Sequence, residues 1–390
     1  MIKVKFYDRM MKIKLPKSQS GFLWGPRKVG KSTFLKDKFP DSIVFDFLNT
    51  ELFLRLSKNP SLIRQMLEAE DKERLSRPII LDEVQKIPAI LDEIHWLIEN
   101  KKYRFILCGS SARKLRRGHV NLLGGRAWRY QMLPLTSREI GEMDLLKALN
   151  QGLIPSHYLQ SGENSNKSLN AYVNDYLQQE VFAEGLTRNI PAFSRFIEAF
   201  GYAHGELTNY ADVARDCGVD SKTVKEYYQI LVDTMMAVRI DPFKKRQSRQ
   251  IITKAAKYYL FDVGVAGRII GRKIEHERGS EFGKAFEHFI LMEILAYREY
   301  NGKNFKINFW RTKNGIEVDF ILGDGKVAID VKSASRVDAT DLKGMKIYME
   351  NLNPEKAVVV CNEQRKRIAD EIEITPWNEF LDSLWSGKII

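Results

Sequence analysis

Cysteine is scarce in this sequence: the chain of 390 residues contains three, Cys108, Cys217 and Cys361. They lie far apart, their odd number leaves one without a partner, and none forms a CxxC pair. Disulfide frameworks and cysteine-based zinc sites need clustered cysteines, so this spacing excludes both. The sequence therefore predicts reduced thiols in a cytoplasmic protein.

Long apolar runs are also lacking. No stretch reaches the roughly 18–20 uninterrupted apolar residues that a membrane-spanning helix needs. The first residues, MIKVKFYDRMMKIKLP, carry charges throughout and contain no apolar core segment. We therefore expect neither a secretory signal nor a membrane anchor, and no membrane partner.

Acidic residues are in deficit, with 50 Asp and Glu against 62 Lys and Arg, and the net charge is +12. A surplus of this size favours polyanion partners such as nucleic acid or nucleotides, although an inert basic surface has the same composition. A chain of 390 residues is too long for one hydrophobic core and indicates two or three domains.

A phosphate-binding pattern follows the first apolar segment. Residues 21–39, GFLWGPRKVGKSTFLKDKF, contain G-x-x-x-x-G-K-S between a predicted strand and a predicted helix. Glycines let backbone N–H groups turn toward phosphate oxygens, Lys31 supplies a positive charge for the outer phosphates, and Ser32 can ligate Mg²⁺. The predicted nucleotide contacts in this loop are Gly25, Pro26, Arg27, Lys28, Val29, Gly30, Lys31, Ser32 and Thr33.

Two further predicted strands end in polar residues. The apolar segment 78–81 is followed by Asp82 and Glu83, and YRFILCGSS at 103–111 ends near Ser110. Strands that alternate with helices indicate a parallel sheet, and ligands bind at the carboxyl ends of its strands. We expect Asp82 to hold Mg²⁺, Glu83 to polarise the attacking water, and Ser110 to sense the γ-phosphate and complete the nucleotide contacts.

Arg126 is a candidate for stabilising charge during phosphoryl transfer. It follows two glycines and precedes an alternating segment in LLGGRAWRYQMLPLTSREI. An arginine of the same chain or of a neighbouring copy can stabilise the transferring phosphoryl group. We predict this catalytic role for Arg126, in cis or in trans, and a basic surface residue is the alternative.

The motifs GPRKVGKST, IILDEVQKIP, FILCGSSARKL and GGRAWRYQMLPLTSREI, in this order, resemble a prokaryotic AAA-type ATPase family. Its members pair the ATPase with a C-terminal domain of uncharacterised function, and the resemblance covers most of the chain. The resemblance implies an ASCE-class P-loop ATPase that uses ATP and Mg²⁺, with Asp82 and Glu83 as its acidic pair. It implies no particular partner.

The middle of the chain has helical periodicity. Apolar residues at three- and four-residue spacing over 136–200 predict a helical lid or linker, with a polar loop at 160–168. Residues 207–240 then give two short helices around a turn at Gly218, with Ser221 as the N-cap of the second. This is the pattern of a helix-turn-helix.

The same segment predicts a winged helix and DNA as a partner. Lys222, Thr223 and Lys225 would lie on the recognition helix. The wing would contact backbone phosphates through basic residues between two apolar segments: Lys244, Lys245, Arg246 and Arg249. Winged helices also serve as protein–protein modules, and a basic hairpin also protects a sheet edge, so these alternatives stay open.

The C-terminal third contains a hairpin with charges at interior positions, EVDFILGDGKVAIDVKSAS at 317–335. A two-residue turn at Asp324 and Gly325 would place Asp319 directly opposite Asp330, with Lys332 on the same face. Opposed carboxylates need a cation or a proton between them; a divalent metal would resolve the conflict, and oxygen ligands suit Mg²⁺ or Mn²⁺. Lys332 would then help to activate a water for attack on phosphorus. A three-residue turn would shift the register by one and weaken this prediction.

An amphipathic helix at 281–300 precedes the hairpin and carries Glu287 beside its apolar stripe of Phe282, Phe286, Phe289 and Ile290. The order of Glu287, Asp319 and Asp330-x-Lys332 resembles the PD-(D/E)-x-K nuclease superfamily. That resemblance implies Glu287, Asp319 and Asp330 as metal ligands and Lys332 as a catalytic residue. Two departures weaken it: Asp330 replaces the usual Glu, and Val318 replaces the Pro of the motif.

These features predict an α/β protein with a parallel-sheet P-loop ATPase domain (1–135), a helical lid or linker (136–200), a winged-helix-like domain (201–275) and a restriction-nuclease-like domain (276–390). The predicted function is Mg²⁺-dependent ATP hydrolysis that acts on or with DNA. The alternative is an ATP-driven regulatory switch whose C-terminal domains bind protein partners and have no nuclease activity. Nuclease activity and the oligomeric state stay open, with a homo-oligomer as one option.

Overall fold

The computed structural model describes residues 7–17, 19–111, 123–160, 162–177, 189–244 and 255–390. The chain divides into two compact units. One unit comprises Arg9–Pro134 with Ile230–Met236, and the other includes Leu135–Gln229 and Ala237–Ile390. Across the described ranges, no helix combines the length and the apolar character that crossing a bilayer requires.

The first unit contains a parallel sheet of five strands in the order β2-β3-β4-β1-β5. The strands are β1 Ser20–Trp24, β2 Val44–Asp46, β3 Ile79–Asp82, β4 Phe105–Gly109 and β5 Ala127–Gln131. Every residue of β1, β3 and β4 is buried, as expected for central strands that are covered on both faces. The predicted parallel sheet is confirmed.

Helices connect these strands. They are Lys31–Lys38, Thr50–Lys58, Leu62–Glu68, Lys72–Leu75 and Ile90–Lys101, with 3-10 turns at Val84–Lys86 and Leu123–Gly125. The Thr50–Lys58 helix begins where the side chain of Asn49 accepts a hydrogen bond from the backbone N–H of Leu52. Such a cap satisfies one of the unpaired donors of the first turn.

The second unit begins with helices. They are Ser137–Ile140, Leu145–Gln151, Pro155–Tyr158, Gly162–Ala171, Ile190–Tyr202, Tyr210–Cys217, Ser221–Asp233 and Val263–Ile269, with a π-helical turn at Tyr172–Leu177. The helical pattern predicted for 136–200 is confirmed in its described part. The polar loop predicted at 160–168 is wrong, because Gly162–Ala171 is a helix.

An eight-stranded mixed sheet follows, in the order β12-β13-β11-β10-β9-β8-β6-β7. Its strands are β6 Ala237–Pro242, β7 Lys257–Leu260, β8 Ile307–Arg311, β9 Glu317–Leu322, β10 Val327–Val331, β11 Lys356–Cys361, β12 Arg367–Ala369 and β13 Ile372–Pro376. Its helices are Ser280–Tyr300, Lys343–Leu352 and Trp377–Trp385. The predicted stripe of Phe282, Phe286, Phe289 and Ile290 is fully buried.

The boundary predicted between a winged-helix-like domain at 201–275 and the C-terminal domain does not separate their strands. The winged helix itself stays a prediction, because residues 245–254, between β6 and β7, lie outside the described residues. Strand β6 pairs in parallel with β8, and β7 pairs with β6, so both strands extend the C-terminal sheet. The hydrogen bonds between strands thus join β6 and β7 to the segment 276–390 in one unit, whereas Ile230–Met236 belongs to the first unit. The predicted cap is also corrected: the carboxylate of Asp220, not Ser221, accepts hydrogen bonds from the N–H groups of Lys222 and Thr223.

One buried carboxylate holds three parts of the second unit together. Glu293, on the Ser280–Tyr300 helix, is 1% exposed. It accepts hydrogen bonds from the backbone N–H of Ser137 at 2.6 Å, from the Ser137 hydroxyl at 2.8 Å and from the indole N–H of Trp385 at 2.7 Å. Burial raises the pKa of Glu293 from its ordinary 4.5 to about 7, although these donors act in the opposite direction.

Candidate functional site

The phosphate-binding pattern forms a tight loop between β1 and the Lys31–Lys38 helix. Lys28 and Gly30 adopt left-handed backbone conformations, with φ of 62° and 97°. A Cβ atom at Gly25 would lie 2.3 Å from the carbonyl oxygen of Met132, so glycine is required for this close approach. The strand–loop–helix context predicted for the pattern is present.

Lys31 lies inside this loop and is 6% exposed. Its ammonium donates to the carbonyl oxygens of Gly25 at 2.7 Å and Pro26 at 2.9 Å. Both acceptors are neutral, so the positive charge of Lys31 is not neutralised by them. A phosphate oxygen can replace these carbonyls as its partner at a gain in charge–charge attraction.

Ser32 and Asp82 come together although 50 residues separate them in sequence. The Ser32 hydroxyl donates to Oδ2 of Asp82 at 2.6 Å, and Oδ1 of Asp82 accepts from the backbone N–H of Glu83 at 3.0 Å. A hydroxyl and a carboxylate in contact beside a phosphate loop are oxygen donors of the kind that Mg²⁺ prefers. The residues present therefore fit the predicted ion.

Glu83 follows β3 in a left-handed conformation, with φ of 58°. Its side chain lies in a buried position where desolvation raises its pKa, while the charges of Lys31 and Arg27 act in the opposite direction. A glutamate with a raised pKa next to a phosphate site is suited to exchange protons with a water.

Gln85 is a further residue of this site, and no sequence pattern predicted a role for it. Its side-chain N–H group donates to Oε2 of Glu83 at 2.5 Å and to the Ser110 hydroxyl at 3.0 Å. A Cβ atom at Gly109 would lie 2.3 Å from Oε1 of Gln85, so this glycine makes room for the bridge. The signal in the sequence was slight: a polar residue between Val84 and Lys86, shortly after Asp82 and Glu83.

Arg126 is placed away from the phosphate loop of its own chain. Its carbonyl accepts from the N–H of Ser20, at the start of β1, whereas the phosphate loop follows the end of β1. Its guanidinium is exposed and forms an ion pair with Glu99. Strand β1 separates Arg126 from the loop, so the predicted role in cis is wrong. The role in trans stays a prediction.

The hairpin register in the C-terminal sheet agrees with the two-residue turn. Val327 pairs with Leu322, Ala328 with Ile321 and Ile329 with Phe320, and the next opposed positions are Asp330 and Asp319. The four residues Glu287, Asp319, Asp330 and Lys332 line one cavity of about 200 Å³. The structure thus brings together all four side chains that the sequence singled out.

Lysines contact the acids of this cavity. The ammonium of Lys332 lies 2.9 Å from Oδ2 of Asp330. The ammonium of Lys257, on β7, contacts Oε1 of Glu317 and lies 3.7 Å from Oε1 of Glu287. Burial and the nearby charge of Asp319 raise the pKa of Asp330 well above its ordinary range. Burial and Asp319 also raise the pKa of Glu287.

Several further residues line this cavity although no role was predicted for them, among them Lys257, Tyr259 and Glu317. The Tyr259 hydroxyl donates to Oε1 of Glu287 at 2.5 Å. Lys257 and Tyr259 lie on β7, in the segment for which the sequence predicts a wing. Their position near Glu287 results from the pairing of β7 with β6 and of β6 with β8, which no local sequence pattern specifies. Among the residues that the structure describes, no three His, Cys, Asp or Glu side chains are arranged to hold a metal ion.

The predicted DNA-contacting residues are partly described. Lys222 and Lys225 are exposed, and the ammonium of Lys225 lies 5.4 Å from the ring centre of Tyr210. Thr223 donates its hydroxyl proton to Asp220 at 2.9 Å. Lys244 is exposed at the end of the described part of that segment, and Lys245, Arg246 and Arg249 lie outside the described residues.

Family models match three successive parts of the chain. Residues 17–141 match an AAA domain, residues 142–275 match a domain of unknown function (DUF8612), and residues 282–380 match a second domain of unknown function (DUF4143). The residues of the phosphate loop, with Asp82, Glu83, Gln85 and Ser110, all lie in the first match. The cavity in the second unit draws residues from the other two.

Curated relatives and a solved structure extend the comparison. The uncharacterized proteins Mb2031c of Mycobacterium bovis and Rv2008c of Mycobacterium tuberculosis are each 26% identical over an alignment of 373 positions, which covers 92% of this chain and 80% of theirs. A STAND protein with a tetratricopeptide repeat sensor, PH0952 from Pyrococcus horikoshii, is 11% identical with a TM-score of 0.20. That match covers 73% of this chain and 46% of that chain, and a score this low supports no inference. The AAA match supports a prokaryotic AAA-type ATPase, joined here to C-terminal regions that match domains of unknown function.

Proposed function

We propose that this protein is a Mg²⁺-dependent ATPase and that ATP hydrolysis in its first unit drives an action on DNA by its second unit. One observation carries the ATPase proposal. The Ser32 hydroxyl and the Asp82 carboxylate meet at 2.6 Å beside a buried Lys31 whose partners are two loop carbonyls.

Each residue of the first site has a task in this proposal. The loop N–H groups and Lys31 bind the phosphates, and Ser32 and Asp82 hold the ion. Mg²⁺, when bound, supplies positive charge to the phosphate oxygens. Glu83 orients the attacking water and accepts its proton, and Gln85 holds the Glu83 carboxylate in position.

The test is ATP turnover by Lys31→Ala. We expect at least about a hundredfold loss of kcat/KM, because the variant lacks the one buried cation on the phosphates. Lys36→Ala is the matched control, since Lys36 is an exposed lysine on the same helix. Lys31→Ala with the turnover of the control would refute the ATPase assignment.

The DNA part of the proposal rests on charge and on the helix pair Tyr210–Cys217 and Ser221–Asp233. The net charge of +12 favours a polyanion, and Lys222 and Lys225 are exposed on the second helix. We expect duplex DNA to stimulate ATP hydrolysis and Lys222→Ala with Lys225→Ala to weaken that stimulation. An ATPase rate that does not respond to DNA at low salt would overturn this part.

A specific observation also favours the alternative function, a regulatory switch. The acids of the cavity in the second unit are paired with Lys257 and Lys332. This pairing suits a domain that binds a partner and does not cleave nucleic acid. In this function ATP changes the oligomeric state, and DNA has no effect on turnover. Light scattering of the protein with and without ATP separates the two functions.

Arg126 acts in trans if the chain forms a homo-oligomer. Arg126→Ala lacks the arginine but keeps the phosphate loop, whereas Lys31→Ala has the reverse defect. We expect a mixture of the two variants to recover turnover that neither has alone. A mixture with no more activity than its components would exclude the role in trans.

A further inference from the structure

Lys257 is one of the most deeply placed charges of the second unit, with 4% of its surface exposed. Its ammonium reaches two carboxylates that come from different elements. One is Glu287, on the Ser280–Tyr300 helix, and the other is Glu317, at the start of β9. The lysine therefore occupies the space between the acids, where a divalent cation would need to bind.

The same carboxylates have further fixed donors. Tyr259, two residues after Lys257 on β7, donates to Oε1 of Glu287 at 2.5 Å. Arg311 on β8 lies 2.6 Å from Oε2 of Glu317. Each carboxylate is thus engaged by the lysine and by a second donor. A metal ion would have to displace the lysine and share oxygens that already have partners.

The charge on Lys257 is stable in this position. Its ammonium contacts the carboxylate of Glu317 and lies 3.7 Å from that of Glu287, so negative charge lies on more than one side of it. Lys257 therefore compensates part of the negative charge of the cavity from within the protein. An additional divalent ion would meet the repulsion of a fixed positive charge at close range.

Lys257 and the acids belong to different parts of the sequence. Lys257 and Tyr259 fall in the part that matches one domain of unknown function (142–275), and the acids fall in the part that matches another (282–380). The pairing of β6 with β8 carries β7 into the same sheet and places the lysine over the acids. The middle segment therefore supplies the cation for the cavity of the next segment.

We propose that Lys257 is an internal counter-ion that takes the place of a divalent metal among Glu287, Glu317 and Asp319, so that the cavity does not bind Mg²⁺ or Mn²⁺ while Lys257 is present. This inference revises the metal ligands expected from the sequence, and it depends neither on ATP hydrolysis nor on DNA. The residues of the cavity, as they stand, do not fit the metal that the nuclease resemblance implies.

The experiment is a Mn²⁺ titration of the full chain without nucleotide. The EPR signal of free Mn²⁺ measures how much of the ion stays unbound. All proteins carry Asp82→Asn, which removes the carboxylate of the first site. We expect no Mn²⁺ binding that depends on Asp319 when Lys257 is present. Lys257→Ala should gain one Mn²⁺ site, and adding Asp319→Asn should abolish it.

Lys284→Ala is the matched control, because Lys284 lines the same cavity but is paired with Glu206. It should gain no site. A Mn²⁺ site that is present with Lys257 intact and lost in Asp319→Asn would overturn the proposal, and so would a folded Lys257→Ala that gains none. If Lys257→Ala does not fold, Mn²⁺ binding is compared between two proteins that both keep Lys257, one with Asp319 and one with Asp319→Asn. That comparison still tests the proposal. Loss of ATPase activity has no bearing on this readout, so failure of the proposed function is seen separately.

Discussion

The chain holds two sites where lysines lie among acids, and the partners of the lysines differ. In the first unit the ammonium of Lys31 contacts two backbone carbonyls, while Asp82 contacts a hydroxyl. In the second unit the ammonium of Lys257 contacts the carboxylate of Glu317 and lies near that of Glu287. The first arrangement leaves both charges available to a ligand and an ion, whereas the second neutralises itself. Residue types alone therefore do not identify a metal site; the pairing decides.

The largest expected effect is on stability, and it tests whether the second site is self-neutralised. Lys257→Met leaves the half-buried Glu287 without its cation and Glu317 with Arg311 alone, which should cost about 3–5 kcal/mol in the free energy of unfolding. Lys31→Met should cost much less, because its partners are neutral carbonyls. Chemical denaturation of both variants measures the difference.

Adding Glu287→Gln to Lys257→Met should recover part of the lost stability, because the side chain that lost its cation is then neutral. The loss in Lys257→Met should also shrink at low pH, where the acids are protonated. Equal losses in Lys31→Met and Lys257→Met would remove the distinction between the two sites.

The second prediction tests whether the acids of the first site do chemistry. Glu83→Gln should lower kcat for ATP about a hundredfold with little change in KM, because a glutamine cannot accept the proton of the water. Glu287→Gln, the corresponding change in the second unit, should leave ATP turnover without DNA unchanged. Steady-state kinetics of the two variants make this comparison.

A third buried acid, Glu293, sharpens the comparison because its partners are neutral donors and not lysines. Its folded-state pKa of about 7 lies above the ordinary 4.5, so the folded state binds this proton more tightly than the unfolded chain does. The stability that this proton supplies is fully present below about pH 4.5 and is lost as the pH rises to about 7, on the order of 3 kcal/mol in all.

Glu293→Gln removes that titration. Urea unfolding at about pH 5 and about pH 8 should show a smaller loss of stability with rising pH for the variant than for the parent. Glu379→Gln, at an exposed glutamate on the Trp377–Trp385 helix, should keep the slope of the parent. A Glu293→Gln slope identical to that of the parent would contradict the assigned titration.

The smallest expected effect concerns Gln85. Loss of one hydrogen bond to Glu83 costs about 1 kcal/mol, so Gln85→Ala should lower kcat about fivefold at unchanged KM. Because Gln85 lowers the pKa of Glu83, the acid limb of the pH–rate profile should move to higher pH in the variant. In a Glu83→Gln background the same change should have no effect on the profile.

Local sequence patterns predicted many of the residues that the structure brings together in each site. The phosphate loop specified Lys31 and Ser32, strand ends specified Asp82 and Glu83, and the turn at Asp324 and Gly325 specified the register of the hairpin. All of these follow from short-range rules about glycine, strand alternation and turn geometry. The long amphipathic helix likewise placed Glu287 beside a stripe that the structure buries.

The sequence did not allow us to predict contacts that depend on which strands are neighbours in a sheet. Lys257 and Tyr259 reach the cavity because β6 pairs with β8, about 70 residues away in sequence, and no local pattern specifies that pairing. Arg126 was placed wrongly for a similar reason: position after a glycine pair does not say at which end of β1 the residue lies. Gln85 was overlooked because its partner Ser110 follows a different strand, β4, and lies 25 residues away in sequence.

Because β6 and β7 extend the C-terminal sheet, the position at which the chain is truncated should determine how a C-terminal fragment behaves. A fragment that starts near residue 276 would keep Glu287, Glu317 and Asp319 but lack the lysine that neutralises them. It would also expose β8, the neighbour of β6, as a bare sheet edge on which further chains can assemble. A fragment that starts before Ala237 would retain β6, β7 and Lys257. We therefore expect the shorter fragment, which starts near residue 276, to precipitate and the longer one to stay in solution.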